Sequence, residues 1–259
     1  MPDTNSHGSF IWYELLTTDA DAAAAFYGEV IGWRATEAGV PGYDYRFFWA
    51  GEQGIGGHMN IPEEGAEHGM RPGWYGFIGV NDVDATVAAI ESEGGTVLMP
   101  AMDIPDVGRM ALVTDPQHVP FYVMRGSSDQ ASDSFGRGQG HCCWNELSTA
   151  DQGAALSFYT RHFGWEKGEA MPMGEMGDYV FINHDGGMIG AVMPHGGDGP
   201  LPAWRFYFVV PDIDAAAAKV TAAGGVVRHG PQEIPGGDFM LVATDPQGAV
   251  FGAVGARKS

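Results

Sequence analysis

Trp12-Tyr13-Glu14-Leu15, followed by Thr18-Asp19, Phe26-Tyr27 and Gly32-Trp33, returns as Trp144-Asn145-Glu146-Leu147, followed by Thr149, Asp151, Phe158-Tyr159 and Gly164-Trp165. The register holds beyond these stretches. Asp44-Tyr45 matches Asp178-Tyr179, Ile55-Gly56 matches Ile189-Gly190, Trp74 matches Trp204, and Gly94-Gly95 matches Gly224-Gly225. Thr114-Asp115-Pro116-Gln117 matches Thr244-Asp245-Pro246-Gln247, and the offset stays between about 130 and 134 residues (Trp74 to Trp204, Asp44 to Asp178). Such a pattern is a tandem duplication with small loop insertions, and it implies two domains rather than a solenoid of short repeats. The expected boundaries are 8–125 and 141–256. Between them, residues 126–140 are small and polar, too poor in apolar groups to pack, and read as a flexible linker.

Within the first copy, Phe10 to Leu16 reads as a strand. Thr18, with Asp21 three residues on, supplies a capping signal for an Ala-rich helix over 19–30 that Gly32 ends. Short aromatic or aliphatic runs near Trp33 to Thr36, Tyr43 to Trp49 and Gly54 to Ile61 then predict three strands. After a Pro/Gly-rich crossing over 62–72, the order repeats. A strand over 74–80 precedes a helix over 82–93 that Gly94-Gly95 stops with a left-handed cap, and strands follow near 96–99, 108–113 and 119–124. The second copy predicts helices over 151–162 and 212–223, so the chain reads as four βαβββ modules. Gly51 to Gly57 precedes no helix, which makes it hairpin and bulge backbone rather than a phosphate loop.

The balance of 33 acidic against 13 basic residues gives a formal charge of −20. That charge repels phosphate backbones and anionic lipid, so neither nucleic acid nor membrane is an expected partner. Residues 1–9 show no basic n-region and no apolar h-region, and no stretch of eighteen apolar residues occurs, so a cytoplasmic protein is expected. Cys142 and Cys143 are adjacent and read as reduced thiols, because a disulfide between neighbours demands a strained peptide. His7, His68, His118, His141, His162, His184, His195 and His229 form no spaced ligand pair and read as surface residues.

Paired βαβββ units, with Phe-Tyr late in the helix, Gly-Trp after it and an Asp-Pro turn before the last strand, resemble the vicinal oxygen chelate superfamily of glyoxalases, bleomycin-resistance proteins and extradiol dioxygenases. The resemblance spans 9–125 and 141–255, and is nearest to the two-domain actinobacterial glyoxalase-like or hydroxylase-like group. It implies an α+β fold of two half-open mixed β-barrels with helices outside. In metal-dependent relatives, His and Glu side chains on the first and last strands of each module hold a divalent ion that chelates two neighbouring substrate oxygens. Carried over, those positions fall on Trp12, Gly57, Tyr75 and Tyr122 in the first copy and on Trp144, Ala191, Arg205 and Gly252 in the second. An indole nitrogen is a donor only and cannot bind a metal. The implied cofactor is therefore none; the one remaining metal route combines His58 with Glu14 and Tyr122.

Alternation along a strand puts Glu14 on the face of Trp12, and Glu146 on the face of Trp144. A buried carboxylate needs partners. The expected ones are Tyr75 and Tyr122 for Glu14, and Arg205 for Glu146. One reading makes these satisfied core polar groups that set strand register. A second makes Glu14 a general acid/base of raised pKa, with Tyr75 and Tyr122 as catalytic partners, in a metal-free lyase or isomerase acting on an aromatic or polyketide-like molecule. A third is sequestration of a flat ligand, as in bleomycin-resistance proteins, in a pocket lined by Trp12, Trp49, Trp74, Tyr75 and Tyr122 with several methionines. Candidate ligand contacts overall are Trp12, Trp49, His58, Trp144, Glu146 and Arg205. A metal-dependent lyase or dioxygenase ranks behind these. The expected partner is a small molecule and the expected assembly a monomer or homodimer.

Overall fold

The computed structural model describes residues 5–39, 44–67, 69–128, 130–195 and 202–258. Tyr43, at the start of an expected strand, and His68 lie outside them. The first copy runs β1 (Phe10–Thr17), α1 (Ala20–Val30), β2 (Arg34–Glu37), β3 (Arg46–Ala50), β4 (Gln53–Asn60), α2 (Glu63–Glu67), β5 (Gly73–Gly79), α3 (Val83–Ser92), β6 (Thr96–Ile104), β7 (Gly108–Thr114) and β8 (Pro120–Gly126). The second runs β9 (Cys142–Thr149), α4 (Gln152–Phe163), β10 (Glu166–Pro172), β11 (Asp178–His184), β12 (Gly187–Pro194), β13 (Ala203–Val209), α5 (Ile213–Ala222), β14 (Val226–Glu233), β15 (Phe239–Thr244) and β16 (Val250–Gly255). The α+β class and the fourfold βαβββ order are as expected. Helix α2 is an addition: it opens on Glu63 and Glu64, which suit a helix N-terminus, and it buries no residue.

Each long helix starts on an aspartate. Asp19 accepts from the backbone N–H of Ala22 at 2.9 Å, Asp82 from Ala85 at 3.0 Å, Asp151 from Ala154 at 2.9 Å and Asp212 from Ala215 at 3.3 Å. The first cap is thus Asp19 rather than Thr18: a carboxylate satisfies an orphan N–H and also meets the positive end of the helix dipole.

Each copy forms one eight-stranded mixed sheet, in the orders β2-β3-β4-β1-β5-β8-β7-β6 and β10-β11-β12-β9-β13-β16-β15-β14. Neither order closes on itself. Packing divides the chain along different lines, into one unit of Met1–Ile11, Tyr75–Ser132 and Trp144–Trp204 and another of Trp12–Trp74, Asp133–Cys143 and Arg205–Ser259. Each unit therefore draws a module from each copy.

In the unit containing Trp12–Trp74, Tyr13 meets Phe206 at 5.0 Å between ring centroids, and Trp33 lies 4.8 Å from both Phe48 and Phe208. Trp74 Nε1–H donates to Tyr27 Oη at 2.9 Å, and Tyr27 donates to Asp245 Oδ2 at 3.1 Å. Asp245 Oδ1 accepts from the N–H groups of Gln247, Gly248 and Ala249 at 2.8–3.0 Å, tying the turn between β15 and β16. The other unit repeats this arrangement. Trp204 donates to Tyr159 at 3.1 Å, Tyr159 to Asp115 Oδ2 at 3.2 Å, and Asp115 Oδ1 accepts from Gln117 and Val119. Burial and then the neighbouring aspartate push both phenols well above their usual range, so each stays a donor.

The stretch between the copies is tied down rather than too polar to pack. The hydroxyl of Ser132 donates to the Ile11 carbonyl at 2.5 Å, Ser134 is buried, and Phe135 bridges to Cys142. Cys142 and Cys143 are free and buried, and burial pushes the Cys143 thiol up to about 11, which leaves it unreactive. Three histidines expected at the surface are covered instead. His141 is buried, and the His162 and His184 side chains keep 6% and 8% of their exposure, because ring packing such as that of His162 on Phe158 draws them inward. No helix among the described residues is long and apolar enough to cross a membrane.

Replacing Tyr27 or Tyr159 with Phe removes a hydroxyl that serves a buried indole and a buried carboxylate. Each change is expected to cost about 1–3 kcal/mol in urea denaturation with an unchanged slope. A cost below about 0.5 kcal/mol for either variant would show that these relays do not support the packing.

Candidate functional site

The face of β1 opposite Tyr13 and Leu15 carries Trp12 and Glu14. Register extends that face sideways, since Glu14 pairs with Gly57, Gly57 with Phe47, and Phe47 with Thr36. Trp12 Nε1–H donates to Tyr45 Oη at 2.8 Å, and the Tyr45 phenol is hydrogen-bonded to Glu14, which is only 5% exposed. Burial, and then the Glu14 charge, raises Tyr45 well above the usual phenol range. Phe47 stands edge-on to Trp12 at 5.9 Å and to Tyr45 at 5.8 Å, and Trp49 lies 6.0 Å beyond Phe47. Trp49 is itself fixed, donating to Thr36 Oγ1 at 2.8 Å beneath the Arg34 guanidinium. The result is a buried carboxylate set in a wall of four aromatic side chains.

The second copy rebuilds the centre of this wall. Trp144 Nε1–H donates to Tyr179 Oη at 2.7 Å, and Tyr179 donates to Glu146 Oε2 at 2.8 Å. Phe181 stands edge-on to Trp144 and Tyr179 at 5.9 and 5.7 Å. Asn183 occupies the strand position of Trp49, two residues past the phenylalanine, so the wall is shorter there.

Of the sequence-predicted residues, the structure brings Trp12, Glu14 and Trp49 together, and brings Trp144 to Glu146. Tyr75 and Tyr122 meet each other with ring centroids 6.1 Å apart, and Phe77 stacks on Tyr122 at 4.1 Å. Arg205 is half-buried on β13, alternating with Phe206, which enters the aromatic core. Trp74 belongs to that core too, through Tyr27 and Trp33.

His58 is a correction. It pairs in register with Leu15 rather than Glu14 and stacks on Phe48 at 4.1 Å, so its ring joins the face packed against Tyr27 and Trp33. It is fully buried, and neither ring nitrogen makes a hydrogen bond of good geometry; a marginal bond to the Ala20 backbone favours the charged form without offsetting burial. Burial first, then the Arg46 charge, lowers its pKa to about 4 against opposing contributions from Asp44 and Asp21.

Tyr45 and Tyr179 are what the sequence reading missed. The signal was present in the repeated Asp-Tyr pair, but a pattern of periodicity does not reveal that these rings fold back over a neighbouring strand. Gly57 shows the consequence: a Cβ built there would overlap the Tyr45 hydroxyl. A carboxylate at that ancestral ligand position has no room. At Gly252 a Cβ would likewise overlap the Tyr207 ring. The indoles at Trp12 and Trp144 offer no lone pair, and among the described residues no three His, Cys, Asp or Glu side chains gather as a metal would need. The donor set does not fit a divalent ion.

Paired βαβββ modules with this aromatic and carboxylate face define a class, and comparison with known sequences agrees. The family profile of the Glyoxalase/Bleomycin resistance protein/Dioxygenase superfamily matches residues 9–123 and 138–252, and the chain belongs to that superfamily. It is 35% identical over 259 residues to "Putative glyoxylase CFP32" of Mycobacterium bovis, covering 97% of each chain. It is 31% identical over 269 residues to the anthracycline biosynthesis protein DnrV of Streptomyces peucetius, covering 97% of this chain and 94% of that one. Among solved structures it is similar to the Mn(II)-bound glyoxalase from Novosphingobium aromaticivorans, with a TM-score of 0.64, 18% identity, and 98% and 83% of the two chains covered. At that identity the likeness shows the fold alone.

Folding holds His58 neutral down to about pH 4, whereas the unfolded chain takes up a proton near 6.5, so acid favours unfolding across that window. The stability lost between about pH 7.5 and pH 5 through this one group is roughly 2 kcal/mol. Urea denaturation of His58→Phe should therefore show a pH dependence smaller by that amount. An unaltered dependence would place the imidazole in contact with solvent.

Proposed function

We propose that the chain binds a small, flat organic molecule, aromatic or polyketide-like in framework, against the Trp12, Tyr45, Phe47 and Trp49 wall without a divalent metal, and that Glu14 exchanges a proton with it. The observation that carries this reading is a nearly buried carboxylate set among four aromatic side chains, on the sheet face turned away from the packed core. Aromatic faces supply stacking area for a planar ligand, and a desolvated carboxylate has the means to take or return a proton. The name of DnrV, which places that protein in anthracycline biosynthesis, suits a polycyclic aromatic ligand here. Isomerisation, dehydration and ring closure need no more than such proton transfer. The formal charge of −20 favours an uncharged or cationic ligand over a phosphorylated one, and a cytoplasmic monomer or homodimer is the form we expect.

Native mass spectrometry of the purified chain should reveal a co-purified organic ligand. Titration with quinizarin, a planar hydroxylated anthraquinone, should quench tryptophan fluorescence, and Trp12→Ala should weaken that binding by about tenfold or more. Incubating the co-purified ligand with the chain should change its structure, and Glu14→Gln should abolish the change. A ligand bound but unaltered would make this a sequestering protein rather than an enzyme, and failure to bind any planar aromatic would end the proposal. Elemental analysis of protein purified without chelator is expected to show no stoichiometric divalent ion; finding one would overturn the metal-free reading.

A further inference from the structure

At one corner of the aromatic wall the two copies differ in three residues that touch one another. In the first copy Arg34 on β2 pairs in register with Trp49 on β3, and its guanidinium lies 5.3 Å from the centre of the indole. Trp49 in turn pairs with Gly54 on β4. A Cβ built at Gly54 would lie 3.6 Å from the Trp49 ring and 3.7 Å from the Trp12 ring, so the missing side chain leaves a slot where the two indoles converge. Arg34 is exposed, and Trp12, Trp49 and Gly54 are half-buried, so the slot opens to solvent. Arg46, Arg109, Arg161 and Arg257 each sit on a carboxylate, whereas among the described residues Arg34 meets none. In the second copy the same three positions read Glu166, Asn183 and Met188, paired in the same register. The cation has become an anion, the indole an amide, and the open position a thioether side chain.

We infer that Arg34, Trp49 and Gly54 form a subsite, present in the first copy alone, for the acidic substituent of a planar ligand, and that the ligand class is a fused aromatic carboxylate. Attraction to the indole holds the guanidinium in place, so less rotamer freedom is left to lose when its N–H groups take a carboxylate in two parallel bonds. A ligand ring over Gly54 lies against both indoles, with its carboxylate reaching Arg34. The strand of Arg34 is three steps from that of Glu14 in the order β2-β3-β4-β1, which at the spacing of paired strands is about 14 Å. That span suits three fused rings with a polar group at each end. The net charge of −20 opposes a dianion at long range, but salt screens it, and a single carboxylate in contact with Arg34 is neutralised locally. At Glu166 the same ligand would meet a like charge and no indole to lie on. The subsite rests on the aromatic-ligand reading above and adds to it the charge of the ligand and the copy that takes it.

The test compares anthraquinone-2-carboxylate with its uncharged carboxamide, two ligands of nearly the same shape, by tryptophan fluorescence quenching of the full-length chain. The carboxylate should bind about tenfold more tightly, at one equivalent per chain. Arg34→Gln should remove that preference by weakening the carboxylate and leaving the carboxamide unchanged, and Arg34→Lys should keep only part of it, because an ammonium offers no fork. Arg34 is exposed, so neither change threatens folding. Gly54→Leu fills the slot and should weaken both ligands by about tenfold or more; the backbone there has no positive φ to strain, and circular dichroism checks the fold. If that variant does not fold, the Arg34 comparison still decides. Equal binding of the two ligands, a preference that survives Arg34→Gln, two equal carboxylate sites per chain, or undiminished binding by folded Gly54→Leu would each overturn the subsite. So would binding of quinizarin with neither anthraquinone derivative, and in all these cases the aromatic-ligand reading stands. Binding of none of the three compounds ends that reading, and the subsite with it.

Discussion

The packing depends on a hydrogen-bond relay from indole to phenol to aspartate. Trp74, Tyr27 and Asp245 form it in one unit, and Trp204, Tyr159 and Asp115 in the other. In each case the tryptophan and tyrosine come from one copy and the aspartate from its duplicate. Each member is buried, and each would be costly left alone; joined in series, donors and acceptors cancel. The aspartate also collects the N–H groups of its own turn, so a single carboxylate sets the hairpin before the last strand and the seating of a helix against it. Burial still raises Asp115 and Asp245 above the ordinary carboxylate range, outweighing the donors that lower them. The relays therefore secure geometry at some electrostatic cost.

The same chemical device appears on the opposite face of the sheets. Trp12, Tyr45 and Glu14, and their counterparts Trp144, Tyr179 and Glu146, again run from indole through phenol to carboxylate. There the surroundings differ: the aromatic neighbours form a wall rather than a filled core. In a family whose metal-dependent members chelate an ion at these strand positions, the Tyr45 phenol here fills the space at Gly57 and a tryptophan stands where a histidine would. A carboxylate side chain at Gly57 and the Tyr45 ring exclude each other, since even a Cβ there would overlap the phenol.

Much of this was legible beforehand. The duplication gave the module count, the class and the element order, because Phe-Tyr, Gly-Trp and Asp-Pro recur at a nearly constant offset and each carries a local meaning in helix, cap or turn. Alternation along β1 put Glu14 beside Trp12 and away from Tyr13. What was missed has a common cause. His58 was within one residue of the right position, and one residue in a strand reverses the face. Tyr45 was seen as a repeated residue but not as a partner, because its contact with Glu14 joins strands separated by a helix. His141, His162 and His184 lack apolar periodicity of their own, and only their neighbours bury them.

The chain by itself determined its local chemistry: aspartate caps, the strand and helix periods, an indole at a ligand position that no metal can use, and a net charge unsuited to phosphate. These follow from single residues and their immediate spacing. The tertiary structure alone decided which modules share a core, that a repeated Thr-Asp-Pro-Gln turn supplies the acceptor for a tyrosine in the other copy, and that the Tyr45 phenol meets Glu14. Those outcomes depend on how side chains distant in sequence satisfy each other's buried polar atoms. Such pairing is a property of the packed solid, not of any segment within it.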